Sequence, residues 1–237
     1  MSAPDEAPEK DPDKTQDEAP TALPPILPVF PLSGAVLMPR GTLPLNIFEP
    51  RYLTMVRDAA AGDGMIGMIQ PKSVPPAGDG GSAPLHTIGC AGRIAEMEEQ
   101  SDGRIILILK GVCRYAVGTE LDVTTPYRQI QPNWAPFRHD LATPPLDEGI
   151  DRAALTRPLR RYLTLRGLDS DFDAIDKAPD EVLVNTLAAI VPFEPLEKQA
   201  LIEAADTASR ATTLISLMEM ILAAETAGTE PTDFSPN

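Results

Sequence analysis

Residues 27–52 read LPVFPLSGAVLMPRGTLPLNIFEPRY, and this stretch compresses two apolar runs and a helix start into a short span. Leu27, Val29 and Leu32 are punctuated by Pro28 and Pro31. That pattern predicts an edge strand, because proline has no N–H to give to the middle of a ladder. Leu43, Leu45 and Ile47 alternate with other residues, as a half-buried strand requires. In Phe48-Glu49-Pro50-Arg51-Tyr52 a proline already near helical φ stands just inside a helix start. Glu49 and Arg51 are expected to serve as a helix cap and an ion pair rather than as an acid–base pair.

Outward from this stretch, Pro50 to Ala61 has the spacing of an amphipathic helix, with Tyr52, Met55, Val56, Ala59 and Ala60 on one face. Gly62 is its natural stop. The run Gly62-Asp63-Gly64-Met65-Ile66-Gly67 matches GxGxxG, but it closes a helix and opens a strand. A dinucleotide fingerprint must do the reverse, so nucleotide binding here is set aside. Met65 to Gln70 reads as a strand, Lys72 to Ala83 as a loop, and Leu85 to Met97 as a long strand. Ser101-Asp102-Gly103 signals a tight hairpin. Ile105 to Leu109, Val112 to Val117 and Arg128 to Trp134 follow as strands, with Gly111 expected to break the first from the second.

Six or seven short strands with one early helix predict a closed or nearly closed β-barrel. Pro136 to Pro145 marks a change of pattern, beyond which the chain is helical, with one helix interrupted at Pro158. The expected fold class is therefore α+β: a barrel over residues 25–137, a linker at 138–146 and a helical bundle over 147–227. An acidic tail, 1–24, and a polar tail, 228–237, flank them and are expected to be unstructured.

The 237 residues carry 35 acidic and 20 basic side chains, a formal charge of −15, which disfavours general attraction to nucleic acid or anionic lipid. No apolar run approaches the roughly 20 residues of a membrane span, and the acidic start is unlike a signal peptide, so a cytoplasmic location is expected. Cys90 and Cys113 sit in apolar strands without a CxxC or histidine cluster and are expected to be buried free thiols. The sequence contains no HExxH, no GxxxxGK[ST] and no GxSxG, so no metal site, cofactor or catalytic group is expected. Asp169, Asp171 and Asp173 have the spacing of a calcium loop's opening. Ala174 stands where that loop needs glycine, and helix capping explains these acids better. Arg157, Arg160 and Arg161 form a local cationic patch, expected to be an interdomain or intersubunit salt-bridge face, with an anion or RNA surface as the alternative.

At LPVFPLSGAVLMPRGTLPLNIFEPRY, and again at SDGRIILILKGVCRYAV, the chain resembles the N-terminal, substrate-binding domain of the Lon ATP-dependent proteases. It is similar in particular to short bacterial proteins that carry that domain alone. The segment Val191-Pro192-Phe193-Glu194-Pro195-Leu196-Glu197-Lys198-Gln199 extends the resemblance into the helical part, so that it covers roughly residues 25–226. The resemblance implies a PUA-like barrel followed by helices. It also implies recognition of unfolded or tagged polypeptides or of a partner protein, and it carries over no catalytic residue of the ATPase or peptidase modules.

The expected function is thus a non-enzymatic protein- or peptide-binding module, associated with protein quality control. Its expected contact residues are Leu27, Val29, Phe30 and Leu32, at an open strand edge, and Phe48 and Tyr52, beside an apolar groove. Core packing competes as an explanation of the two aromatics. The alternative is an RNA-binding PUA-like protein using the Arg157 to Arg161 face. Oligomeric state is left open.

Overall fold

The computed structural model describes residues 22–73, 83–143, 149–168 and 171–227. Both expected tails, apart from residues 22–24, and most of the loop after Lys72 lie outside the described residues, as does Asp169.

Six strands form one sheet: β1 Leu27–Pro31, β2 Thr42–Ile47, β3 Met65–Ile69, β4 Ile88–Glu99, β5 Ile105–Glu120 and β6 Arg128–Asn133. Their order is β2-β5-β4-β3-β1-β6, and a further β5–β6 pairing brings the last strand back to β5. Five strands therefore close a ring while β2 lies outside it, so the expected barrel is real but incomplete. Helix α1, Pro50–Ala61, intervenes between β2 and β3 and turns Tyr52, Met55, Val56 and Ala59 into the core.

Strand β5 is the hub. Its first half pairs with β2 on one side and β4 on the other, and its second half pairs with β4 and β6. Gly111 does not break it, contrary to the expectation of two strands. A Cβ there would lie 1.9 Å from the Met38 carbonyl oxygen, so the glycine serves the close passage of the Val36 to Gly41 segment across the strand. The β4–β5 hairpin turns at Gly103, whose φ of +83° suits glycine, and the Arg104 amide donates to Asp102 Oδ1.

The helical part comprises α2 Arg152–Leu165, α3 Phe172–Lys177, α4 Asp180–Ile190, α5 Pro195–Glu203 and α6 Thr207–Ala227. Helix α2 runs through Pro158 without dividing. Asp171 caps α3 by accepting from the Ala174 amide at 3.0 Å. One continuous apolar core extends from Phe30, Met55 and Leu107 to Leu159, Leu187 and Leu214. Sheet and helices thus share a core, and a smaller cluster of Leu27, Val29, Tyr115 and Ile130 lies on the other face of the sheet.

The stretch expected to be a linker from residue 138 begins instead inside a 3-10 helix, Ala135–Leu141. Asp140 on this helix is buried because it pairs with Arg114 of β5, and the Arg114 guanidinium also donates to the carbonyls of Ile202, Ala204 and Ala205 at the end of α5. Those carbonyls belong to a helix terminus and have no partner within the helix. Across the same junction Gln199 donates to the Ile88 carbonyl, and Gln70 donates to that of Pro195. Lys198 donates to the Ala189 carbonyl at the end of α4. The VPFEPLEKQ segment is therefore a clasp holding α5 against the sheet.

Candidate binding groove

The sequence 27–52 folds so that the end of β1, the length of β2 and the start of α1 surround a groove of about 380 Å³. Phe30, Leu32, Leu45, Ile47 and Tyr52 supply apolar wall, Pro31 and Pro44 supply rigid rim, and Phe48, Glu49 and Arg51 stand at the mouth. Four of the six expected contact residues, Phe30, Leu32, Phe48 and Tyr52, are brought together here.

They differ in what they offer. Phe30 and Tyr52 are buried and pack ring to ring at 4.2 Å, so they are floor. Leu32 is half-buried. Phe48 is 65% exposed, an apolar ring left in water at the groove mouth, and core packing does not account for it. Leu27 and Val29 are fully buried, facing the smaller cluster, and take no part in the groove.

The expected open edge at Leu27 to Leu32 is corrected by the topology. β1 pairs with β3 in parallel through Val29, Phe30 and Pro31, and with β6 antiparallel through Leu27, Pro28 and Val29. It is an interior strand. Pro28 and Pro31 are tolerated because each is paired on one side only, and a proline ring turned to the unpaired side forfeits no ladder bond. The open edge is β2, with Pro44 at its centre. The clue was present, a proline inside an alternating run, but the prolines of β1 carried the same signal more conspicuously.

Glu49 occupies the N-cap position of α1, yet its carboxylate makes no capping bond. It pairs instead with Arg51, which donates from Nε at 2.9 Å and approaches with Nη2 at 2.8 Å. The Arg51 guanidinium also stands 4.5 Å from the centre of the Tyr52 ring. Burial raises the Tyr52 hydroxyl pKa above its ordinary value, with Arg51 drawing it down and Glu49 pushing it up. The groove mouth is therefore charged but locally compensated, and its floor is apolar. Among the described residues that line it, none pairs a nucleophile with a base.

Arg157, Arg160 and Arg161 lie exposed on α2 and do not line the groove. Arg160 stacks over the Phe172 ring at 3.7 Å. Among the described residues none of the three forms a salt bridge. No group of three or more His, Cys, Asp or Glu side chains among the described residues is close enough to hold a metal. Among them, too, no helix is long and apolar enough to cross a membrane.

The model of the ATP-dependent protease La (LON) substrate-binding domain matches residues 26–220. The chain belongs to the Lon substrate-binding domain family. Lon protease 2 of Myxococcus xanthus is 30% identical over 102 residues, which is 43% of this chain and 12% of that protein. The Lon protease of Syntrophus aciditrophicus (strain SB) is 26% identical over 194 residues, 78% of this chain and 24% of that protein. The chain thus spans from about an eighth to a quarter of the length of these Lon proteases, and the match covers their substrate-binding domain alone.

Solved structures agree on the fold. A Lon N-terminal domain protein from Xanthomonas campestris superposes with a TM-score of 0.54 at 23% identity, covering 84% of this chain and 97% of that one. The N-terminal domain of the Mycobacterium avium complex Lon protease gives 0.58 at 15% identity, covering 82% and 98%. The Lon-domain fold therefore includes both the sheet and the helices clasped to it.

Proposed function

We propose that this Lon-type domain is a non-enzymatic polypeptide-binding module of the cytoplasm that selects unfolded or tagged chains in protein quality control. The observation that carries this reading is Phe48, a large apolar ring kept in solvent above an apolar floor of Phe30, Leu32 and Tyr52. Covering such a ring removes apolar surface from water and so favours association. Aromatic side chains dominate polypeptide recognition, which makes Phe48 the expected hot spot.

The test is a fluorescence-anisotropy titration with a labelled, permanently unfolded polypeptide. Saturable binding at micromolar concentration is expected. Phe48→Ala is expected to weaken it about tenfold, the size of one hot-spot contact. No saturable binding, or equal binding by Phe48→Ala, overturns the reading.

A further inference from the structure

The free edge of β2 has a defined hydrogen-bonding phase. The Gly111 amide donates to the Gly41 carbonyl at 2.8 Å, so that carbonyl points at β5, while the Gly111 carbonyl accepts from the Arg40 amide at 2.8 Å. In the antiparallel register that follows, Thr42 stands opposite Lys110, Leu43 opposite Leu109, and so on to Ile47 opposite Ile105. Bonded and non-bonded pairs alternate along such a ladder. Leu43, Leu45 and Ile47 therefore bond to β5, whereas Thr42, Pro44 and Asn46 turn their backbone groups outward. Pro44 checks the assignment independently, since its missing N–H falls where β5 needs none. Thr42, Pro44 and Asn46 are all exposed, and no hydrogen bond joins the outward groups of β2 to another described residue.

Resting on the polypeptide-binding reading above, we infer that a guest segment is held as an added strand along the outer edge of β2. Its backbone accepts from the Thr42 and Asn46 amides and donates to the Pro44 carbonyl, while alternate side chains enter the groove toward Phe48. Main-chain bonds supply affinity without reading sequence, and the groove supplies a preference for apolar side chains at every second position. Glu49 and Arg51 neutralise one another at the mouth, so no charge is selected. The substrate class is an extended, proline-poor, uncharged segment.

Pro44 also decides between two occupants of this edge. A second copy of β2 laid antiparallel, Pro44 against Pro44, makes no bond at its centre because neither proline has a donor. A foreign strand with an ordinary residue there donates one bond to Pro44. In that register Pro44 costs a second copy both central bonds and a foreign strand only one, so the edge favours other chains over its own.

The probe is a fluorescein-labelled peptide of four Thr-Val repeats, compared with two versions N-methylated either on every threonine or on every valine. In an added strand only alternate amides face the host. One methylated peptide is expected to lose binding by tenfold or more and the other to bind within about twofold of the parent. Equal effects of the two patterns overturn the inference. On the protein side, Asn46→Pro removes one outward donor without removing a bond to β5, and about a tenfold loss is expected, against a clearly smaller loss for Asn46→Ala, which keeps that amide. Loss on Phe48→Ala but indifference to both Asn46→Pro and methylation pattern overturns the added strand and leaves the groove reading standing. Absence of any binding overturns both. Concentration-dependent self-association abolished by Asn46→Pro assigns the edge to a second copy and also overturns the inference.

Discussion

Arg114 of β5 and Asp140 of the 3-10 helix form a doubly bonded ion pair with Nε–Oδ2 and Nη2–Oδ1 both at 2.9 Å, and the two side chains are 1% and 5% exposed. Through the same guanidinium the sheet is joined to the end of α5. A buried pair of this kind contributes little net stability against an apolar replacement. Removing one partner alone strands a charge in a low-dielectric interior.

Asp140→Ala is therefore expected to destabilise the protein by about 3–5 kcal/mol. Urea unfolding followed by circular dichroism measures it. A loss under 1 kcal/mol contradicts the account of Arg114 as an organising charge.

Two glycines separate steric from conformational need. At Gly111 a Cβ meets the Met38 carbonyl oxygen at 1.9 Å, and Gly111→Ala is expected to cost about 3 kcal/mol or more because backbone must move. At Gly103 a Cβ meets nothing within 4 Å, and only the φ of +83° is unfavourable to alanine. Gly103→Ala is expected to cost about 1–2 kcal/mol. Equal losses in denaturant titrations contradict the distinction.

Stability is expected to fall on the alkaline side. Burial, then the hydrogen bond that its hydroxyl donates to Asp58, pushes the Tyr127 pKa up to about 12, and burial raises Tyr52 and Tyr115 as well. Unfolded tyrosine releases its proton near pH 10. Between pH 10 and 12 the unfolded chain holds fewer protons than the native one, so stability is complete below pH 10 and declines as pH rises through that window. Melting temperature measured from pH 9 to 12 checks this, and Tyr127→Phe is expected to show a shallower decline.

The two thiols are expected to be inert in the native protein. Cys90 is raised well above the ordinary thiol pKa by burial and then by the Asp140 carboxylate, and Cys113 is pushed up to about 12 by the same causes. A disulfide reagent at pH 8 is expected to find no titratable thiol until denaturant is added, when two appear. Immediate reaction of either cysteine in native protein contradicts the burial.

Elements whose pattern is local were legible in the sequence: the alternation of β2, the apolar face of α1, the turn at Gly103, the proline-started α5. What failed depended on distant partners. Whether β1 is an edge is decided by β3 and β6, which nothing within residues 27–32 encodes. Gly111 reads as a strand break until the Met38 carbonyl is seen across it. The linker at 138–146 looked featureless because one acid, Asp140, holds its first part in place from 26 residues away. At the groove the sequence singles out both aromatics alike, but exposure separates Phe48 from Tyr52, and exposure belongs to the fold. Nothing local tells Pro44 from Pro28 and Pro31, so which proline marks an outer strand also belongs to the fold.

The position of β5 at the centre of the sheet also constrains how the chain assembles during synthesis. Until β5 has left the ribosome, β2 has no neighbour, β6 has nothing to return to, and the clasp around Arg114 has no anchor. β3 can pair with β1 and β4 before then, but β2 emerges as an apolar strand with both edges unpaired, and in that interval it resembles the unfolded segments proposed as ligands of the domain.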